Sequence, residues 1–162
     1  MSDHNELMEK FRAAAKKLIE DVDAALQTET NTFLANVGRS MAELYSVALS
    51  LPAVEPETTG ADEAPFQTDK FDALRRSLLQ RKIGSLDTYW QIFDSTQKEE
   101  PAQGSLSGDI SEIYFDLKQG LELDKTGAPK SDILFDWRLD FQHHWGRHVL
   151  AALAAIHHHY IE

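Results

Sequence analysis

Cysteine is absent from the 162-residue chain. A disulfide scaffold, a thiolate nucleophile and any cysteine-ligated zinc or iron–sulfur centre are thereby excluded. Long apolar runs are absent too: nowhere do about 18 uncharged apolar residues follow one another, as a membrane-spanning helix requires. The opening stretch MSDHNELMEKFRAAAKK carries charges of both signs from residue 3 onward, unlike the apolar core of a signal peptide. These absences predict a cytoplasmic protein with no membrane partner. Positive charge is scarce, with 16 Lys and Arg against 27 Asp and Glu and a formal net charge of −11. Such a chain repels phosphate backbones unless it holds a local basic patch. The best cluster, Arg75-Arg76…Arg81-Lys82, is spread around the barrel of a helix, so nucleic acid is not favoured as a partner.

What is present is the composition of an ordinary folded domain, 42 % apolar and 27 % charged. The length fits a single domain over residues 1–162 that needs no covalent staple. Leu7, Phe11, Ala14, Leu18, Val22 and Ala25 recur at spacings of three and four, which predicts a helix over about 4–27. Phe33, Val37, Met41, Leu44, Ala48 and Leu51 predict a second over about 31–51, ended by Pro52. Thr28, Thr30 and Asn31 are candidate caps between them. Residues 52–69 hold three prolines, a glycine, five acids and no base, and predict a mobile surface loop. A third helix is expected over about 69–82, with Phe71, Leu74 and Leu78 inward. A short helix follows over about 86–94, then a polar loop at 95–104. The next helix spans about 106–122, capped by Ser105 or Ser107, and a last long one spans 132–159, capped by Ser131. No strand is expected. The fold class is therefore all-α: a single-domain bundle of about five main helices plus one short helix.

The last helix concentrates the chemistry. Residues 135–160 hold two of the three tryptophans and six of the seven histidines. At about 100° per residue, Leu134, Trp137, Phe141, Trp145, Ala152 and Ile156 share an apolar arc. His148 falls inside that arc, Arg138 near its edge and His144 at its rim, while His143 points to solvent. A buried polar group needs a partner, so His148 and Arg138 each call for one. Gly146 interrupts the helix at about 1 kcal/mol relative to alanine, which predicts close approach of another helix or of a ring such as Trp90. Asp109, Glu112 and Asp116 form a carboxylate stripe on the 106–122 helix, with Asp109 and Asp116 nearer the apolar boundary.

If the two helices pack antiparallel, His144 and His148 meet Asp116 and Asp109 in one polar pocket, with Arg138, Trp145 and Trp90 beside it. Imidazole and carboxylate can then pair by hydrogen bonds, which raises the histidine pKa and lowers that of the acid. They can also bind a divalent ion through His144, His148 and Asp116. The terminal His157-His158-His159 run is read as solvated and suited to a helix C-terminus.

Several stretches carry a family resemblance. They are Leu44-Tyr45…Leu49…Leu51-Pro52, Tyr89-Trp90-Gln91-Ile92-Phe93-Asp94 and the run from Asp109 to Leu121. Trp137, Phe141, His144-Trp145-Gly146-Arg147-His148 and His157 complete the set. The chain resembles, over about residues 33–157, the bacterial domain of unknown function 5063 family, most specifically in its His-Trp-Gly-x-His run. The resemblance implies an all-helical bacterial protein and no particular activity.

No nucleophile motif, phosphate-cradling glycine loop or HExxH appears, and no paired ExxH ligand set. The residues point to a non-enzymatic binding or accessory module that holds a protein partner or small ligand, with a homodimer as the default assembly. A His/carboxylate metal site is the alternative, and otherwise no cofactor is expected. Arg138 with His143 or His144 is also similar to the Arg-x(4–6)-His motif of the higher-eukaryote-and-prokaryote nucleotide-binding helical RNases. The net charge opposes that reading, as does an angular offset of about 120° between Arg138 and His144.

Overall fold

The computed structural model describes residues 2–58 and 69–160. Its frame is five helical rods: α1 (Ser2–Asp23), α2 (Thr30–Ala48), α3 (Asp69–Ile83), α4 (Leu106–Lys125) and a last rod. That last rod is α5 (Lys130–Asp140) and α6 (Gly146–Tyr160), joined by a π-helical turn over Phe141–Trp145. The chain is all-α in class, as its periodicity dictates.

One expected helix is instead a hairpin. Residues Thr88–Gln91 form β1, which pairs antiparallel with β2, Ala102–Ser105. The stretch Thr88-Tyr89-Trp90-Gln91 alternates between exposed and half-buried positions, the period of two that a strand requires. Four residues are too few for that period to stand out from a helical one, so neither the helix expected over 86–94 nor the expected absence of strands holds. The polar stretch 95–104 belongs to the connection between the two strands and the start of β2, not to a loop between helices.

Helix ends differ in detail. The α2 cap is Glu29, whose carboxylate accepts from the backbone of Asn31 and Thr32, both at 3.1 Å. Ser105 caps α4 by accepting from the Gly108 backbone at 3.1 Å. Ser131 does not cap α5, which begins beyond Pro129; its hydroxyl donates to Glu57 at 2.9 Å. On α3, Leu79 and Ile83 are buried and Leu74 is exposed, one position off the expected stripe; the side chain of Phe71 lies outside the described residues. Of the expected mobile loop, residues 59–68 also lie outside them. Its described start is fastened, for Asp132 accepts from the Glu57 backbone at 2.6 Å and from the Thr58 hydroxyl.

Helix α4 is the centre of the packing, in contact with α1, α3, α5 and α6, while α2 lies against α1 and α6. Leu106, Ile110, Ile113, Leu117 and Leu121 form its apolar stripe, all buried. Phe11 of α1 stacks on Trp137 with centroids 4.4 Å apart, and Trp145 lies beside Phe11. Burying side chains of this size contributes about 1.5–3 kcal/mol each. Residues 126–129 turn the chain back so that α5 runs antiparallel to α4. The two are clamped where the Trp137 indole donates to the Gly120 carbonyl at 3.0 Å. A β-carbon at Gly120 would lie 2.9 Å from that indole, so this helix contact needs glycine.

Candidate functional site

The π turn decides where the histidines point. In an uninterrupted α-helix, residues spaced by four drift about 40° per step around the axis. One extra residue in a turn reverses most of that drift, which is how π turns re-aim side chains at functional sites. Beyond the turn Val149, fully buried, takes the arc position that straight counting gives to His148. His148 moves to the rim, where its side chain is 26 % exposed. Gly146 is explained by the same turn. Its backbone donates to the Phe141 carbonyl, and a β-carbon there would collide with that oxygen and crowd the Phe141 ring. The crowding ring belongs to its own rod and not to Trp90.

Opposite this rim lies the acidic edge of α4. His148 Nδ1 faces Asp109 Oδ1 at 2.8 Å, and one turn earlier His144 Nδ1 pairs with Asp116 Oδ2. The two imidazoles stand edge to face with centroids 5.1 Å apart. Asp109 and Asp116 are buried, whereas Glu112 is partly exposed. The partners step in opposite directions along the two helices, the register that the Trp137–Gly120 clamp fixes.

The two pairs are not equivalent. His144 sits between acids: beyond Asp116, its Nε2 lies 3.8 Å from Glu112, which itself accepts from Arg76 at 2.7 Å. His148 Nε2 makes no hydrogen bond to any described residue. Its Asp109 is held from the other side by the Tyr89 hydroxyl, which donates to Asp109 Oδ2. Burial first, and then the bond to Asp109, push the Tyr89 phenol well above its ordinary range, so it remains a donor.

The hairpin brings Tyr89 to this place. Asp87, buried at its base, accepts from the Ser107 backbone at 2.6 Å and from the Ser105 hydroxyl at 3.1 Å, and so fastens the base of the hairpin to the start of α4. Tyr89 pairs with Gly104 across the strands, and its ring covers the glycine. Helical periodicity alone does not mark Tyr89 as a site residue. Its signal was the lone glycine opposite an aromatic in a strand pair, readable only once the hairpin is known.

A second acidic row continues along the last rod. Burial, followed by the charge of Asp140, raises Asp136 from 3.8 to about 6. Burial and the charge of Asp116 raise Asp140 to about 6, with His144 opposing. Asp116 is also raised, because burial outweighs the hydrogen bond from His144. The expectation that pairing lowers the acid is therefore corrected at Asp116: desolvation of the carboxylate is the larger effect.

The other expected site residues lie elsewhere. Trp145 is 1 % exposed and belongs to the core, so it offers no surface to a ligand. Trp90 is 69 % exposed on the outer face of the hairpin, because it alternates with the inward-facing Tyr89 and Gln91. Arg138 donates to the Leu51 carbonyl and ties α5 to the end of α2, while His144 is engaged by Asp116. The basic cluster is used internally: Arg75 covers the Tyr114 ring at 3.6 Å and Lys82 donates to the Thr28 carbonyl. Among the described residues no three of His, Asp and Glu are grouped to hold one metal ion. Asp116 and His144 face each other instead of a shared point.

A cleft of about 380 Å³ opens beside His148. Ile92, Phe93, Leu150 and Ala151 supply apolar lining, and Asp109, Arg147 and His148 are among its polar residues. A smaller hollow of about 170 Å³ between α1 and α3 has only Asp23 and Arg75 as polar lining, and these pair with each other at 3.5 Å. A hollow of about 390 Å³ between α1 and the end of α2 is lined by Glu6 and Lys10, themselves paired at 2.7 Å. Only the first joins apolar walls to a ring nitrogen without a partner among the described residues.

None of the curated proteins compared matches the chain. The crystal structure of protein BF1032 from Bacteroides fragilis is similar over 93 % of this chain and 90 % of that one, with a TM-score of 0.79 and 21 % identity. At that identity the likeness concerns the fold alone. The profile described as a domain of unknown function (DUF5063) matches residues 2–162, the whole length and more than the stretches that first carried the resemblance, and the chain belongs to that family.

Proposed function

We propose that the protein is a small-ligand binding module whose site is the cleft between the hairpin and α6. The observation that carries this reading is the cleft of about 380 Å³ with apolar lining at Ile92, Phe93, Leu150 and Ala151 and with His148, whose Nε2 has no partner among the described residues, in its polar lining. Small-molecule sites have this composition, mostly apolar lining with a few fixed polar groups, and volumes of about 300–1,000 Å³. His148 is fixed in the required sense, because Asp109 holds its ring and Tyr89 holds Asp109. No helix among the described residues is long and apolar enough to cross a membrane. The lack of cysteine supports a reducing compartment, and we place the protein in the cytoplasm.

A fragment screen read by amide chemical shifts tests this. Small aromatic fragments should shift the signals of Ile92, Phe93, His148 and Ala151 together. Shifts confined to other surfaces, or none at all, would remove the cleft as the site.

One observation favours a metal as second reading. Both imidazoles are gripped at Nδ1 by carboxylates, the way outer groups orient metal-binding histidines. On that reading, added zinc or manganese raises the melting temperature of the wild type but not of His148→Ala. Equal shifts in both proteins, or none, would remove it.

A further inference from the structure

We infer that the cleft selects ligands that donate a hydrogen bond, a small apolar ring carrying a hydroxyl or amine, and not ligands that only accept. The inference rests on the cleft being the binding site and adds what the site reads.

It follows from a chain of fixed proton positions. The Tyr89 phenol donates to Asp109 Oδ2, so Asp109 is an acceptor there. Its other oxygen faces His148 Nδ1 at 2.8 Å, and a carboxylate accepts without donating. Nδ1 must then carry the imidazole proton. A neutral imidazole has one N–H, so Nε2 is left with a bare lone pair. That nitrogen meets no described partner and belongs to a side chain that lines the cleft. The cleft thus has an acceptor among its polar lining. Arg147 also lines the cleft, where one of its guanidinium nitrogens is engaged by the His143 carbonyl on its own rod. Phe93 and Ile92 supply apolar lining on the hairpin side, and an aromatic side chain such as Phe93 suits a ring. His144 is not a second reader, since its two nitrogens face Asp116 and Glu112.

A donor-bearing ring satisfies the lone pair. A ring of the same size whose oxygen only accepts places two lone pairs against each other, and a site built for a hydrogen bond rejects ligands that cannot make it.

Three matched probes test the inference at about pH 8, above the ordinary histidine range: p-cresol, 4-methylanisole and toluene. Binding is read by amide shifts, and the His148 ring nitrogens by two-bond proton–nitrogen correlation. The free protein should show the Nδ1–H form of His148. p-Cresol should bind at least tenfold more tightly than either other probe and should move the Nε2 resonance. If all three bind in the cleft with equal affinity, the cleft stands as a binding site and the selection for donors is wrong. An Nε2–H form of His148, or a preference for 4-methylanisole, overturns it as well. If none binds, the cleft itself is not the site and the inference falls with it.

Discussion

Tyr89 and Gly104 face each other across the hairpin, and the Tyr89 ring occupies the space that a β-carbon on residue 104 would fill. The missing side chain allows the ring to lie flat and the hydroxyl to reach Asp109. A glycine in one strand thereby fixes a carboxylate in a helix, and through it an imidazole in another helix.

Gly104→Ala should therefore destabilise the protein, although alanine normally favours an ordered backbone over glycine. The ring must shift, Asp109 loses a donor, and the expected loss is about 1–3 kcal/mol, close to that of Tyr89→Phe. Denaturant unfolding of the two variants and the double variant checks this. If Gly104→Ala is neutral or stabilising, or if the two losses simply add, the ring is not held by the glycine.

Gly146→Ala carries an opposite sign to its helix propensity. In a regular helix the change gains about 1 kcal/mol. At this position the β-carbon meets the Phe141 carbonyl and ring, so the π turn cannot keep its form. A loss of about 1–3 kcal/mol is expected. His148 should also turn away from Asp109, with a changed ring-nitrogen spectrum. A stabilised Gly146→Ala protein with an unaltered His148 signal would contradict this account.

Asp136 and Asp140 make stability fall as pH rises. Each has its folded pKa raised from 3.8 to about 6, so across that window the folded state binds more protons than the unfolded chain. Stability contributed by the neutral acids is present at about pH 4 and is lost as pH rises through about 6. Asp136→Asn mimics the protonated acid at every pH. Its melting temperature should match the wild type near pH 4 and exceed it increasingly up to about pH 7. Melting curves for both proteins across that range measure the difference, and a flat difference would show that Asp136 is not held protonated.

Much of the frame was legible in the residues. The stripes Phe11-Leu18-Val22, Phe33-Val37-Met41-Leu44 and Ile110-Ile113-Leu117 each predict a helix and a buried face, because side chains three and four apart share one side of a helix. The same spacing places His144 with His148, and Asp109 beside the apolar edge of α4. Antiparallel packing then follows from the short turn after α4. What periodicity could not supply was any feature that breaks it. The hairpin is four residues per strand, too short to show a period of its own. The π turn adds a residue to one turn, which puts Val149 where straight counting puts His148.

By itself the sequence determined five amphipathic rods and the chemistry available on their edges, since local spacing alone sets which side chains share a face. Tertiary structure decided which of those edges became a site. A histidine's role depends on what meets each of its two nitrogens, and those neighbours come from chain segments distant in sequence. His144 has an acid facing each nitrogen, whereas His148 meets Asp109 at Nδ1, has no described partner at Nε2 and lines an open cleft.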